Sequence, residues 1–193
     1  MTKKKYAGRP SIAQLEAELK RIRYRSQYTS VLKSTVYALV IVAAFAVLVA
    51  TLWLPVLQIY GSSMNPTLHD GDILISVKGS NFHQGDVVAF YYNNKILVKR
   101  VIAVSGEWVD MDEEGNVYVN GEKINEPYVS EIARGECDIE LPYQVPDSRI
   151  FVMGDHRSVS IDSRSTSIGC VTDEQIVGKL VYQIWPLKRI GSV

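Results

Sequence analysis

Three stretches of this chain concentrate side chains that can make and break bonds. They are Tyr60-Gly-Ser-Ser-Met-Asn-Pro-Thr-Leu68, the strand-like Ile96-Leu-Val-Lys-Arg-Val-Ile102, and Met153-Gly-Asp-His-Arg-Ser-Val-Ser-Ile-Asp-Ser-Arg164. A serine beside Gly and Pro is ordinarily a turn residue. A strand lysine ordinarily lies at the surface, its stem covering apolar neighbours. Together the two types offer nucleophilic chemistry, because a hydroxyl at neutral pH needs a base within hydrogen-bond reach. Lysine serves as that base only when neutral, so burial must lower its pKa of about 10.4 by roughly 2 to 3 units. Strand alternation puts Lys99 on one face with Leu97 and Val101, and Arg100 on the other with Val98 and Ile102. Apolar neighbours of that kind are what would hold Lys99 uncharged. The reading is Ser63 as nucleophile and Lys99 as general base. The third stretch supplies hydroxyls to orient the lysine and Asp–Arg pairs to fix a loop. It also contains His156, which leaves open a Ser-His-Asp arrangement with histidine as base.

The elements that must carry these residues divide the chain by charge. Residues 1–33 hold nine Lys and Arg against two Glu, a net of +7, and the remainder nets −7. That split argues for two environments and against a nucleic-acid-binding surface. Thr2 to Arg9 reads as a disordered basic tail. Ser11 with Gln14 three residues on fits a helix N-cap, and Ile12, Leu15, Leu19 and Ile22 form the stripe of a short amphipathic helix. From Ser34 to His69 there is no charged residue, and Val36 to Leu54 is almost wholly apolar. Nineteen residues at ~1.5 Å rise match a hydrocarbon core of about 30 Å. The run is too long for a cleaved leader and ends in Trp53 and Tyr60, as interfacial aromatics would. We read residues 34–57 as a retained anchor, with 1–33 cytoplasmic by the basic flank and 58–193 extracytoplasmic.

Beyond the anchor, helix periodicity gives way to β-branched and aromatic runs at Asp72–Val77, Asp86–Tyr92, Ile96–Val104, Arg149–Met153 and Lys179–Trp185. Asn93-Asn94 and Asn120-Gly121 are hairpin turns by composition. A small β insertion is expected at about 108–148, with 125–148 irregular and acidic, and a short helix near Thr172 to Ile176. The fold class is an all-β domain of antiparallel sheets on one transmembrane helix. Cys137 and Cys170 lack C-x-x-C spacing, so a metal site is not expected, and a disulfide between them is permitted but not required.

Ser63-Met64-Asn65-Pro66-Thr67-Leu68 resembles the serine box of type I signal peptidases. Lys99-Arg100 resembles their K-R box, and Gly154 to Arg164 their G-D-N-R-x-x-S-x-D-S-R box. All three fall in the family's order, over about residues 35–191. The resemblance implies a membrane-bound serine endopeptidase of the bacterial cell membrane that removes signal peptides after small residues at −1 and −3. It implies Ser63 as nucleophile, Lys99 as base, Ser160 as the serine orienting that lysine, and Asp155, Asp162 and Arg164 as structural ion-pairing positions. The oxyanion would be bound by the Ser63 backbone N–H. A second donor is left open, since Gly61 carries no hydroxyl and Ser62 is only adjacent. His156 stands where the family has Asn, and Ser105-Gly106-Glu107 where it often has P-G-D. The implied partners are signal-peptide-bearing preproteins, the lipid bilayer and a nearby secretion translocon, with no cofactor and no metal. The alternative is a non-catalytic, membrane-anchored β-domain chaperone for exported proteins or pilins.

Overall fold

The computed structural model describes residues 11–53, 55–79 and 81–193, so the basic tail Thr2 to Arg9 lies outside the described residues. The helix start is capped reciprocally. The Ser11 hydroxyl accepts from the Gln14 amide at 3.3 Å, and Gln14 Oε1 accepts from the Ser11 amide at 3.0 Å. From there α1 runs over Ile12–Trp53, 42 residues. The amphipathic segment and the apolar anchor, read separately in the sequence, are one helix. No Gly or Pro interrupts residues 11–54, and Thr29 and Thr35 turn their hydroxyls back onto the Arg25 and Val31 carbonyls. α1 stops ahead of Pro55, which cannot follow a residue in helical conformation without a clash. It is the one helix among the described residues long and apolar enough to cross a membrane. At ~1.5 Å per residue it extends roughly 63 Å, about twice a hydrocarbon core. The polar first half is therefore surplus to any span.

The remaining residues build two antiparallel sheets. Their strands are β1 (Val56–Gln58), β2 (Ile73–Val77), β3 (Val87–Tyr92), β4 (Lys95–Ala103), β5 (Trp108–Met111), β6 (Val117–Val119), β7 (Glu122–Lys123), β8 (Tyr143–Gln144), β9 (Arg149–Met153), β10 (Val171–Thr172), β11 (Ile176–Trp185) and β12 (Gly191–Ser192). The larger sheet has the order β1-β2-β11-β3-β4-β9-β10, with β12 also on β11; the smaller is β7-β6-β5-β8. Val56 and Leu57, which the sequence reading assigned to the anchor, form with Gln58 an edge strand that pairs with Ile73–Ile75. The expected short helix is a 3-10 turn at Asp173–Gln175. β8 lies inside the stretch expected to be irregular. Asn93 and Asn94 (φ 43° and 61°) turn β3 into β4, and Asn120 and Gly121 (φ 53° and 82°) turn β6 into β7. Both pairs have the positive φ values of a type I′ turn.

Three apolar clusters fix these layers. Ile102, Phe151 and Met153 of the larger sheet meet Val109, Met111, Val117 and Val119 of the smaller. Val88, Phe90, Val101 and Val152 pack together from β3, β4 and β9. Met64 and Leu68 join Leu74, Val87 and Leu180 in the third cluster, which seats the segment after β1. Cys137 and Cys170 are both free thiols at the first cluster, and burial pushes the Cys170 thiol up to about 11.

Candidate active site

The segment carrying Ser63 is irregular, so its position comes from what pins it. Met64 and Leu68, each 2% exposed or less, act as apolar pegs on either side of Pro66. The Thr67 hydroxyl donates to Asp155 Oδ2 at 2.5 Å, tying this segment to the loop after β9. The Ser63 carbonyl accepts the His156 amide at 3.0 Å, a second tie to that loop.

Lys99 comes from β4, where it stands opposite Val88. It is only 3% exposed, and its Nζ lies 2.8 Å from Ser63 Oγ. Burial pushes its pKa down from 10.5 to about 8; Asp162 and Asp155 act to raise it, and Arg164 to lower it further. Desolvation outweighs those carboxylates, each of which is also paired with an arginine. Asp162 holds Arg164 through two contacts of 2.8 Å, and Asp155 holds Arg100 at 2.9 and 2.7 Å. Lys99 is thus the buried cation without a salt-bridge partner in this group, which is the arrangement that lets it shed a proton.

The other residues singled out in the sequence gather around this pair in different ways. Ser160 is buried beside it, but its Oγ makes no hydrogen bond, so the expected bond to Lys99 is not formed in this structure. Gly154 separates Ser160 from Ser63: a Cβ there would collide with Ser160 Oγ and come within 2.6 Å of the Ser63 carbonyl oxygen. The ring of His156 points at the Ser62 carbonyl, 3.3 Å from Nδ1, and makes no hydrogen bond to Ser63 Oγ. Among the described residues the Ser63 amide donates no hydrogen bond, which leaves it available to an oxyanion. Ser62 is exposed.

Several groups at the site had no role in the sequence reading. Arg157, 1% exposed, reaches the Gly154 carbonyl at 3.2 Å and pairs with Glu126. The Tyr128 ring lies over the Arg100 guanidinium, 4.0 Å from ring centroid to Cζ. The signal available was Arg157 itself, an arginine inside an already suspicious loop; Glu126 and Tyr128 carried none.

Ser63 and Lys99 form one wall of a cavity of about 660 Å³ lined by residues 56–61 and 94–99, including Val56, Ile59, Ile96 and Val98. β1 is a sheet edge, and β9 pairs with β4 only from Arg100 onward. Two strands therefore present unpaired backbone to the cavity, Val56–Gln58 and Lys95–Lys99. No cluster of His, Cys, Asp or Glu among the described residues could hold a metal ion.

A hydroxyl beside a buried amine, facing a strand-wide apolar slot, defines a site suited to acyl transfer on an extended peptide. Comparison with known proteins agrees in kind. The family model described as signal peptidase, peptidase S26, matches residues 32–185, and the chain belongs to that family. Signal peptidase I of Bacillus licheniformis is 34% identical over 169 residues, 80% of this chain and 89% of that one. Signal peptidase IB of Staphylococcus aureus (strain N315) is 36% identical over 151 residues, covering 68% and 78%. A crystal structure of a signal peptidase I from Enterococcus faecalis V583 is 28% identical and covers 52% of this chain and 97% of that one, with a TM-score of 0.44. At that score it adds nothing to the fold argument.

Proposed function

We propose that this protein is a membrane-bound serine endopeptidase that removes signal peptides from exported preproteins, with Ser63 as nucleophile and Lys99 as general base. The single observation carrying the dyad is the 2.8 Å approach of Lys99 Nζ to Ser63 Oγ in a buried setting that lowers the lysine to about 8. An extended substrate adds its backbone to the free edges of β1 and β4. Its side chains before the scissile bond enter the cavity, whose apolar lining suits small residues at −1 and −3. Ser63 Oγ attacks the scissile carbonyl while its proton passes to Lys99. The Ser63 amide stabilises the oxyanion. Lys99 then returns the proton to the leaving amine as the C–N bond breaks, and next deprotonates the water that hydrolyses the acyl-enzyme. Ser160, buried against Gly154, is the residue assigned to steadying Lys99 during the reaction. Asp155, Asp162 and Arg164 hold the loop.

The basic flank of α1 sets the N-terminus in the cytoplasm and the β domain outside, where a signal peptide still embedded in the bilayer presents its cleavage site. A secretion translocon is the natural neighbour. A non-catalytic chaperone gains nothing from an unpaired buried lysine against a serine, so the enzymatic reading is the one the geometry favours. The test is cleavage of a secretory precursor in detergent. Ser63→Ala and Lys99→Ala should each lose about 1000-fold or more, and His156→Asn should stay within about threefold of wild type. Wild-type rates in either of the first two variants would sink the dyad. A loss in His156→Asn equal to that of Lys99→Ala would move the base to histidine.

A further inference from the structure

Residues 125–138, which leave the smaller sheet after β7, make contact with every buried arginine around the site. Tyr128 stacks on Arg100, with 4.0 Å from ring centroid to Cζ. Its hydroxyl donates to Glu126 Oε1 at 3.0 Å, and Glu126 pairs with Arg157. Arg157 in turn donates to the carbonyl of Gly154, the residue wedged between Ser63 and Ser160. Farther along, the Arg134 carbonyl accepts from Arg164 at 2.6 Å, and a Cβ on Gly135 would strike Arg157 and Arg164. Glycine with φ +62° is what lets the backbone come that close. The segment is a strap that binds the β4 arginine and the loop after β9.

We propose that Tyr128 is a positioning residue for the proposed reaction: its ring presses the Arg100 guanidinium onto Asp155 and so limits that carboxylate's pull on Lys99. The proposal rests on the serine–lysine reading above and assigns it a residue that touches neither substrate nor nucleophile.

The physical chain is short. The charged groups that face Lys99 are Asp155, Asp162 and Arg164 from the loop after β9. Asp162 has its own arginine; Asp155 has Arg100, the next residue along β4. Arg100 is held by Asp155, by the Gly85 carbonyl at 2.8 Å, by Thr67 at 3.3 Å and by the Tyr128 face. A guanidinium over an aromatic face is favourable when water is excluded, and burial with Glu126 keeps the Tyr128 phenol protonated far above its usual range. With the ring gone, the guanidinium gains freedom and Asp155 is less completely neutralised. Lys99 then holds its proton to higher pH, and fewer molecules carry the neutral amine that the reaction needs.

The experiment compares full-length wild type, Tyr128→Phe and Tyr128→Leu in precursor cleavage from pH 6.5 to 10, with thermal unfolding measured alongside. Tyr128→Leu should lower kcat about tenfold at pH 7, leave KM within about twofold, and move the acid limb of kcat to higher pH so that the deficit closes near pH 10. Tyr128→Phe keeps the ring and should follow wild type. A deficit equal at every pH, an unmoved limb, or Tyr128→Phe as poor as Tyr128→Leu would each overturn the proposal. Should Tyr128→Leu not fold, a series of increasingly fluorinated phenylalanines at 128 weakens the ring face at constant shape. The acid limb should climb stepwise along it, and a stationary limb overturns the proposal. Failure of the underlying dyad is separate: wild type would then show no limb that Lys99→Ala abolishes.

Discussion

At the scale of single residues, Lys99 links the chemistry to the stability of the fold. Its pKa falls from 10.5 to about 8 because burial disfavours the charged form. Below pH 8 the lysine is protonated in both states, so the folded state carries the full cost of a buried charge. Between about pH 8 and 10.5 the folded protein has lost the proton and the unfolded chain retains it, so stability rises with pH across that window. The linked energy is ~3 kcal/mol. Lys99→Met should therefore inactivate the enzyme and yet raise its melting temperature at pH 7, an advantage that disappears near pH 10.5. Thermal unfolding of both proteins at the two pH values checks this, and a destabilised Lys99→Met at pH 7 would contradict it. In wild type the same titration predicts cleavage that increases from pH 7 to 9. At pH 7 roughly one molecule in ten holds the neutral amine. Gly154 is the second sensitive residue. Gly154→Ala forces a methyl against Ser160 Oγ and the Ser63 carbonyl. A displacement of about 1 Å at Ser63, the proposed nucleophile, costs on the order of 100-fold, so activity should collapse while circular dichroism stays native.

At the scale of elements, the loop after β9 is held by charge and by backbone contacts to its neighbours. Asp155 is 1% exposed and bonds Arg100 twice and Thr67 once. Asp155→Asn strands a buried guanidinium and loosens the Ser63 segment at Thr67. The expected cost is about 3–5 kcal/mol, readable as a lower denaturant midpoint, and a change under 1 kcal/mol would show that Arg100 finds another partner. The helix is simpler. Its length follows from an uninterrupted run without Gly or Pro, and its stop from Pro55. The two hairpin turns follow from Asn-Asn and Asn-Gly, the residues that tolerate positive φ.

At the scale of the whole molecule, charge is segregated along the chain: residues 1–33 carry +7 and the rest −7. If the basic flank stays in the cytoplasm, single cysteines tell the two sides apart. In a background with Cys137→Ser and Cys170→Ser, an impermeant thiol reagent added to intact cells should label Glu113→Cys and spare Ser11→Cys. The reverse pattern would invert the topology and with it the access of the site to exported substrates.

Local chemistry made much of this legible from residues alone. β-branched and aromatic runs marked the long strands, β3, β4 and β11, and the turn residues marked the β3–β4 and β6–β7 hairpins. The serine, lysine and loop motifs are each ordinary for a turn, a strand and a polar loop, and they were legible because all three occur together in the family's order. The two-residue strands β8, β10 and β12, which no turn signal marks, were not visible, because so short a strand exists by virtue of its partner rather than its own pattern. Nor could Ser63 and Lys99 be known to meet, 36 residues apart. Which of Lys99 and His156 stands against Ser63 Oγ depended on the packing, which brings Lys99 Nζ to 2.8 Å. The lowered pKa of Lys99 depended on desolvation by residues from β3, β4 and the loop after β9. The strap of Glu126 and Tyr128 was silent in the sequence, since an acidic irregular stretch reads the same whether it hangs in solvent or clamps three arginines. Motif and periodicity belong to neighbours along the chain and are determined there. Burial, charge neutralisation and the facing of two groups are sums over distant segments, and only the folded molecule decides them.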